Sequence, residues 1–112
     1  MKNPKFLEKA IRNRIAARRS PNGLEKKLIP ILNEYGFEYT GDGKFSIDGA
    51  NPDFTNYKEM LVIEFAGIYW HKPEYELQRY LRFYKYGWRC LTIWETEIQE
   101  AKNKVDNWIR KN

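Results

Sequence analysis

The fold is decided by the stretch Leu61-Val62-Ile63-Glu64-Phe65-Ala66, an apolar run that contains a single acid. Apolar residues at successive positions are typical of a strand buried on both faces, so this run predicts the central strand of a sheet. A helix is predicted over residues 74–86 and a second buried strand over 88–94. Together they form a β-α-β crossover, in which the two strands are parallel. The helix is expected to bury the apolar residues Leu77, Tyr80, Leu81 and Tyr84.

The segments upstream predict antiparallel strands. Residues 37–40 and 44–47 flank Gly41-Asp42-Gly43, which is a hairpin signal. Residues 51–56 contain Pro52, which has no N–H for a sheet hydrogen bond, and so predict an edge or entry strand.

Three further helices complete the chain, over residues 5–18, from Pro21 to before Gly36, and over 95–111. The order is ααβββαβα. This is an α/β fold with a mixed α+β sheet, because antiparallel strands join a parallel crossover.

Length and composition set the class of protein. The 112 residues are enough for one domain, and we expect a single domain over 1–112 with a basic N-terminal helix over 1–19. The one cysteine, Cys90, excludes an internal disulfide and an all-cysteine zinc site, and a reducing, cytoplasmic location is expected. No apolar run approaches the roughly 18 residues of a membrane span, so no membrane partner is expected.

Charge is concentrated at the start of the chain. Residues 1–28 contain nine Lys and Arg against two Glu and carry +7, whereas the remaining 84 residues carry −2. A basic N-terminal segment on a nearly neutral remainder suits binding to a polyanion, and nucleic acid is the first candidate. A solvated helix face explains the same pattern equally well.

Two acids in the sheet are the first candidates for chemistry. Glu64 has apolar neighbours on both sides, where a carboxylate must be paired, protonated or bound to metal. Asp53 precedes that strand, and adjacent antiparallel strands can bring both carboxylates to one point, with the oxygen ligands that Mg²⁺ accepts. The structural alternatives are a Glu64 that reaches solvent or pairs with a lysine, and an Asp53 that only forms a turn.

Three more residues complete a hydrolytic set. His71, the only histidine, lies in the loop after the Glu64 strand and can transfer a proton at neutral pH, although a lone histidine is more often structural. Glu25 fits a capping box after Asn22, and the structural alternative for Glu76 is a pairing with Arg79 or Tyr80 on its own helix, or with nearby Arg82. Carboxylates for a metal, a base for water and a cation for phosphate are what phosphodiester hydrolysis needs.

The sequence around these residues resembles a known nuclease family. Gly67-Ile68-Tyr69-Trp70-His71 resembles the Gly-x-Phe-Trp-His loop of very-short-patch mismatch-repair endonucleases. The segment 87–95, Gly-Trp-Arg-Cys-Leu-Thr-Ile-Trp-Glu, resembles their Gly-Trp-Arg-Val-x-x-x-Trp-Glu strand. Pro52-Asp53-Phe54 is similar to their metal-binding strand. Within this PD-(D/E)XK superfamily, the chain is most similar to the Vsr-like homing endonucleases with a Glu-Asp-x-His-Asp motif, over roughly residues 18–110.

The resemblance implies a restriction-endonuclease-like core and a role for each acid. It matches Asp53 to the principal metal ligand and Glu64 to the second acid of the superfamily pattern. It matches His71 to the general base and Glu25 to a helix acid that supports the site. Glu76 falls where the family has an aspartate, at the start of the following helix. The resemblance also matches Arg79 to an arginine of small bacterial PD-(D/E)XK proteins.

The sequence departs from the family at several positions. Ala66 stands where a PD-(D/E)XK nuclease has its lysine, so His71 would activate water, and Lys72, Lys44 or an N-terminal arginine would contact the phosphate. One cysteine and one histidine cannot build the structural zinc site of the repair enzymes. The departures favour a phage or mobile-element role over mismatch repair.

We therefore expect a Mg²⁺-dependent endonuclease that acts on double-stranded DNA, with Mn²⁺ as a substitute, no zinc and no small-molecule cofactor. The alternatives are a non-catalytic nucleic-acid-binding module on a degenerate core, and an interaction domain. A DNA-recognition region is expected outside this chain, which would make it a fragment of a longer site-specific endonuclease. The expected DNA contacts are Arg12, Arg14, Arg18, Arg19, Trp70 and Lys72, although Trp70 could instead pack its loop onto the sheet.

Overall fold

A computed structural model describes residues 23–67 and 73–111. In chain order, its elements are helix α1 (Gly23–Asn33), strands β1 (Glu38–Tyr39), β2 (Phe54–Asn56) and β3 (Leu61–Ala66), helix α2 (Pro73–Tyr84), strand β4 (Arg89–Trp94), a 3-10 helix (Glu95–Glu100) and helix α3 (Ala101–Lys111). The predicted basic helix over residues 5–18 lies outside the described residues. None of the described helices is long and apolar enough to cross a bilayer.

The four strands form one mixed sheet in the order β1-β2-β3-β4. The β1–β2 and β2–β3 pairs are antiparallel, and the β3–β4 pair is parallel from Leu61 opposite Arg89 to Ala66 opposite Trp94. The apolar β3 is therefore an interior strand, and α2 provides the predicted crossover to β4. This confirms the mixed sheet with flanking helices.

The predicted hairpin around Gly41-Asp42-Gly43 is wrong. Strand β1 pairs with β2, and residues 44–47 form no strand beyond a single bridge between Ile47 and Ala50. The Asn51 side chain instead closes a loop, because its Nδ2 donates to the backbone carbonyl oxygen of Thr40 at 2.8 Å and to that of Phe45. Side-chain hydrogen bonds have replaced the strand pairing that the turn residues suggested.

Of the two alternatives that Pro52 suggested, an edge strand or an entry strand, the edge strand is wrong for β2. It lies between β1 and β3, and all three of its residues are buried. Pro52 precedes the first paired residue, Phe54, so its missing N–H costs no hydrogen bond of the sheet. The edges of the sheet are β1 and β4.

The helices cover both faces of the sheet. On one face α1 and α3 pack on a core that includes Leu28, Ile63 and Val105, and on the other α2 packs through Phe83 against Val62 and Cys90. Alternate residues of a strand point to opposite faces, so Glu64 shares the α2 face with Val62.

Helix α2 presents a different face to the sheet than its apolar spacing predicted. The predicted inward residues, Leu77, Tyr80, Leu81 and Tyr84, are all exposed. Phe83 is fully buried, with Arg79 one turn before it. Two polar contacts hold this rotation: Arg79 bonds Glu64 of β3, and Glu76 accepts from Trp94 of β4.

This rotation of α2 predicts unequal costs for two truncations in the same helix. Phe83→Ala should lower the free energy of unfolding by about 3–5 kcal/mol, because it opens a cavity in the core. Leu77→Ala should change it by no more than about 0.5 kcal/mol, because the Leu77 side chain lies in solvent. Urea denaturation of dilute protein measures both. A larger loss for Leu77→Ala would restore the face predicted from the sequence.

Candidate acidic site

Asp53 and Glu64 meet at the junction of β2 and β3. Phe54 pairs with Ile63, so Asp53 lies opposite Glu64 at the next position of the antiparallel ladder, where side chains share a face. Asp53 Oδ2 accepts a hydrogen bond of 2.8 Å from the backbone N–H of Phe65, which orients its carboxylate toward β3. Two acids that are eleven residues apart in sequence are thus direct neighbours.

Glu64 forms a buried ion pair with helix α2. Arg79 Nη2 donates to Glu64 Oε2 at 3.1 Å, and the two side chains are only 17% and 5% exposed. The guanidinium also lies 5.4 Å from the ring centre of Tyr75 and 5.3 Å from that of Phe83. An ion pair was the structural alternative for Glu64, and it exists with an arginine in place of the lysine considered.

Glu25 brings a third carboxylate to this end of the sheet. It lies in the first turn of α1 and is buried, and Tyr39 Oη of β1 donates to its Oε1 at 3.4 Å. Its charge raises the pKa of both Asp53 and Glu64. The three acids predicted from separate elements, Glu25, Asp53 and Glu64, therefore converge.

The ionisation of Asp53 and Glu64 is suppressed by their surroundings. Burial raises the pKa of Glu64 to about 7, with Arg79 opposing the rise and Glu25 adding to it. Burial also raises the pKa of Asp53 well above its usual value, and the charges of Glu64 and Glu25 add to this. Asp53 retains partial exposure as a residue, but its carboxylate is packed against β3. The positive charge of Arg79 can balance only one of the three carboxylates. The excess negative charge of the site must be neutralised by protons or by a cation.

The negative charge of Glu64 also raises the pKa of two neighbouring side chains, Tyr75 and Cys90. The pKa of the Tyr75 phenol is raised to about 12 by burial and by Glu64. The pKa of the Cys90 thiol is raised in the same way, first by burial and then by Glu64. Cys90 is therefore a buried thiol held in its neutral form, unsuited to act as a nucleophile.

Asp53 and Glu64 fit a hard divalent cation. Their donors are carboxylate oxygens, and Mg²⁺ is usually held by one or two carboxylates while it keeps several waters. Within residues 23–67 and 73–111, no three His, Cys, Asp or Glu side chains are placed to hold one ion together. Glu25 therefore suits a supporting role better than that of a third ligand.

Glu76 has a partner other than those expected. Its Oε1 accepts a hydrogen bond of 2.8 Å from Trp94 Nε1, which ties α2 to the end of β4. The expected partners are bound elsewhere, because Arg79 contacts Glu64 and Arg82 Nε lies 3.4 Å from Asp48. The pairing predicted within α2 is wrong.

Several predicted residues lie outside the described parts of the chain. These are the candidate base and the expected DNA contacts, namely His71, Trp70, Lys72, Arg12, Arg14, Arg18 and Arg19. Lys44, a candidate phosphate contact, is described, and its Nζ lies 3.7 Å from Glu38 on an exposed surface.

Arg79 is the contact that sequence reasoning did not assign. The resemblance matched it to an arginine without giving it a task, and helical spacing alone suggested a partner on its own helix. A usable signal was present, because Tyr75, Arg79 and Phe83 recur every four residues and so share one side of α2. That stripe was missed because the opposite stripe is more apolar.

Comparison with known proteins gives one informative similarity. No protein-family model and no curated protein matches the chain. Among solved structures, the catalytic domain of the homing endonuclease I-Bth0305I is similar, with a TM-score of 0.57 and 25% sequence identity over 81% of this chain and 93% of that one. The chain therefore has a fold that matches a homing endonuclease catalytic domain.

The crowding of acids predicts that Asp53→Asn stabilises the metal-free protein at neutral pH, by on the order of 1 kcal/mol. The amide oxygen can still accept the Phe65 N–H, while one negative charge disappears. A carboxyl whose pKa is raised by folding binds its proton more tightly in the folded state, so wild-type stability falls as pH rises above the usual aspartate range. The gain should therefore vanish in acid, where Asp53 is protonated in both states.

Chemical denaturation in EDTA at a series of pH values measures this difference. A variant less stable than wild type at neutral pH would show that the Asp53 charge is well compensated in the fold.

Proposed function

We propose that this protein is a metal-dependent DNA endonuclease that hydrolyses phosphodiester bonds, of the Vsr-like PD-(D/E)XK type. The observation that carries the proposal is the pairing of Asp53 and Glu64 across β2 and β3, with Glu25 beside them. The similarity to a homing endonuclease catalytic domain supports the choice of DNA as substrate. The proposed role is that of a phage or mobile-element homing endonuclease, and the proposed location is the cytoplasm.

The metal-holding residues are Asp53 and Glu64, with Mg²⁺ as the proposed ion and Mn²⁺ as its substitute. When bound, the ion supplies Lewis acidity and positive charge at the phosphate. Arg79 binds Oε2 of Glu64 and so fixes the orientation of this carboxylate. Glu25 adds negative charge that favours a cation over an empty site.

His71 is the proposed base. It lies in the short connection between β3, which ends at Ala66, and α2, which begins at Pro73. Both elements contribute a residue to the acidic site, through Glu64 and Arg79. A neutral imidazole there accepts the proton of the attacking water. Glu76 positions the start of α2 through Trp94.

Double-stranded DNA is the proposed partner. The residues proposed to contact it are Arg12, Arg14, Arg18, Arg19, Trp70 and Lys72. Lysine and arginine contacts to phosphates give affinity without reading sequence, so the proposal includes a DNA-recognition region outside this single catalytic domain.

A non-catalytic DNA-binding module is the second candidate. Two observations favour it: Ala66 stands where the superfamily has a lysine, and Arg79 already neutralises part of the Glu64 charge. In this reading, Arg79 takes the place that a cation has in the active nucleases.

Plasmid cleavage distinguishes the two candidates. In Mg²⁺ or Mn²⁺ the wild-type protein should nick or linearise supercoiled plasmid, and Asp53→Asn and His71→Ala should each lower the rate by about 100-fold or more. Asp48→Asn is the matched control, because Asp48 is an exposed aspartate bound to Arg82. Its rate should be unchanged.

Cleavage that survives both substitutions would contradict the proposed site. Salt-sensitive DNA binding by the wild-type protein without cleavage in either metal would select the non-catalytic module.

The raised pKa of Glu64 predicts a link between pH and metal concentration. At limiting Mg²⁺ the cleavage rate should rise through about pH 7, because Glu64 must lose its proton before it can bind a cation. Higher Mg²⁺ competes with the proton and should move the midpoint to lower pH. Rate profiles at several Mg²⁺ concentrations test this. A midpoint that stays constant would assign the pH dependence to another group, such as His71.

A further inference from the structure

The solvent face of α2 carries an apolar seam. Leu77, Tyr80, Leu81 and Tyr84 are 57%, 39%, 53% and 54% exposed. Their spacing of i, i+3, i+4 and i+7 aligns them along one side of the twelve-residue helix, opposite the side that packs on the sheet. The Tyr80 and Tyr84 rings stack, with centroids 5.8 Å apart and planes 9° from parallel. Such a stripe on a short helix is typical of a surface that packs against another helix.

The arrangement of this seam is self-complementary. In an antiparallel pair of α2 helices related by a two-fold axis between Tyr80 and Leu81, Leu77 faces Tyr84 of the second copy, and the central residues face each other. Each large ring then packs against a leucine, and the same surface serves on both copies, as an isologous interface requires.

The charges beside the seam favour the same orientation. Exposed Glu74 lies in the first turn of α2, and exposed Lys85 directly follows its last residue. The backbone N–H of Lys85 still bonds to the Leu81 oxygen, so helical periodicity places both residues on the same flank of the seam. In an antiparallel pair, equal flanks of the two helices meet, so Glu74 of each copy lies near Lys85 of the other. A parallel pair would bring unlike flanks together at equal heights, so Glu74 would not meet Lys85 of the other copy.

We infer that the protein self-associates through α2, as an antiparallel two-fold dimer with Leu77, Tyr80, Leu81 and Tyr84 at its centre. The occupant of the seam is a second copy of this chain. The surface is small compared with the interfaces of permanent dimers, so the dimer should depend on protein concentration. The inference does not depend on the proposed nuclease activity, because the seam lies on the side of α2 away from Arg79.

Sedimentation velocity of nucleic-acid-free protein over a wide concentration range tests the dimer. The wild-type protein should shift from monomer to dimer as concentration rises. Leu81→Glu places a charge at the centre of the seam and should weaken association by at least about 30-fold. Met60→Lys is the control, since Met60 is exposed to a similar degree but lies outside α2. Its association should match the wild type.

A charge exchange tests the orientation. Glu74→Lys and Lys85→Glu should each weaken association by about three- to tenfold, and the double variant should restore it, because each removes or rebuilds two cross-copy contacts. Thermal melting confirms that every variant is folded.

Three results would overturn the inference. They are a wild-type protein that is monomeric at all concentrations, a dimer that Leu81→Glu leaves intact, and a double charge exchange without recovery. The first of these results has a specific cause if Leu81→Glu, itself monomeric like the wild type, makes residues 1–22 newly sensitive to protease. The seam would then pack against that segment instead of a second copy.

Discussion

Asp53 and Glu64 lie opposite each other on neighbouring strands, and their burial opposes the ionisation of both carboxyl groups. Glu25 adds its negative charge from the first turn of α1. One buried guanidinium, that of Arg79, opposes three carboxylates. A stable core would normally avoid this arrangement, because each added charge raises the free energy of the others. The cation proposed for this site would neutralise that excess negative charge.

The same ion pair determines how α2 lies on the sheet. Arg79 can reach Glu64 only if the side of α2 that carries Tyr75, Arg79 and Phe83 faces β3 and β4. The stripe around Leu81, which is the more apolar of the two, is then left in solvent. The chemistry proposed for the site and the surface proposed for self-association are thus two consequences of one rotation. Helix α2 buries the Arg79 ion pair together with Phe83 on its inner side, and it leaves the more apolar of its two stripes exposed.

The sequence predicts the centre of the fold better than its periphery. The six-residue run that ends at Ala66 is long and apolar, so the interior strand and its crossover follow from local pattern alone. The meeting of Asp53 and Glu64 is predictable because Asp53 directly precedes β2, which one short turn joins to that strand. The prediction of a hairpin at Gly41-Asp42-Gly43 is wrong because strand pairing depends on contacts that are distant in sequence. The loop that the Asn51 side chain closes lets β1 pair with β2. The prediction for the inner side of α2 is wrong because two stripes of residues both recur at the helical period. The position of Glu64, which pairs with Arg79, selects between them. The roles of His71 and of the N-terminal arginines stay predictions.

A calorimetric titration of Mn²⁺ into the protein tests the central claim, that Asp53 and Glu64 together bind a divalent cation. Performed in buffers of different ionisation enthalpy, the titration also counts the protons released on binding. We expect one binding event per chain, release of protons near neutral pH, and loss of binding in Asp53→Asn. Absence of binding by the wild-type protein, or binding of equal strength by Asp53→Asn, would contradict it.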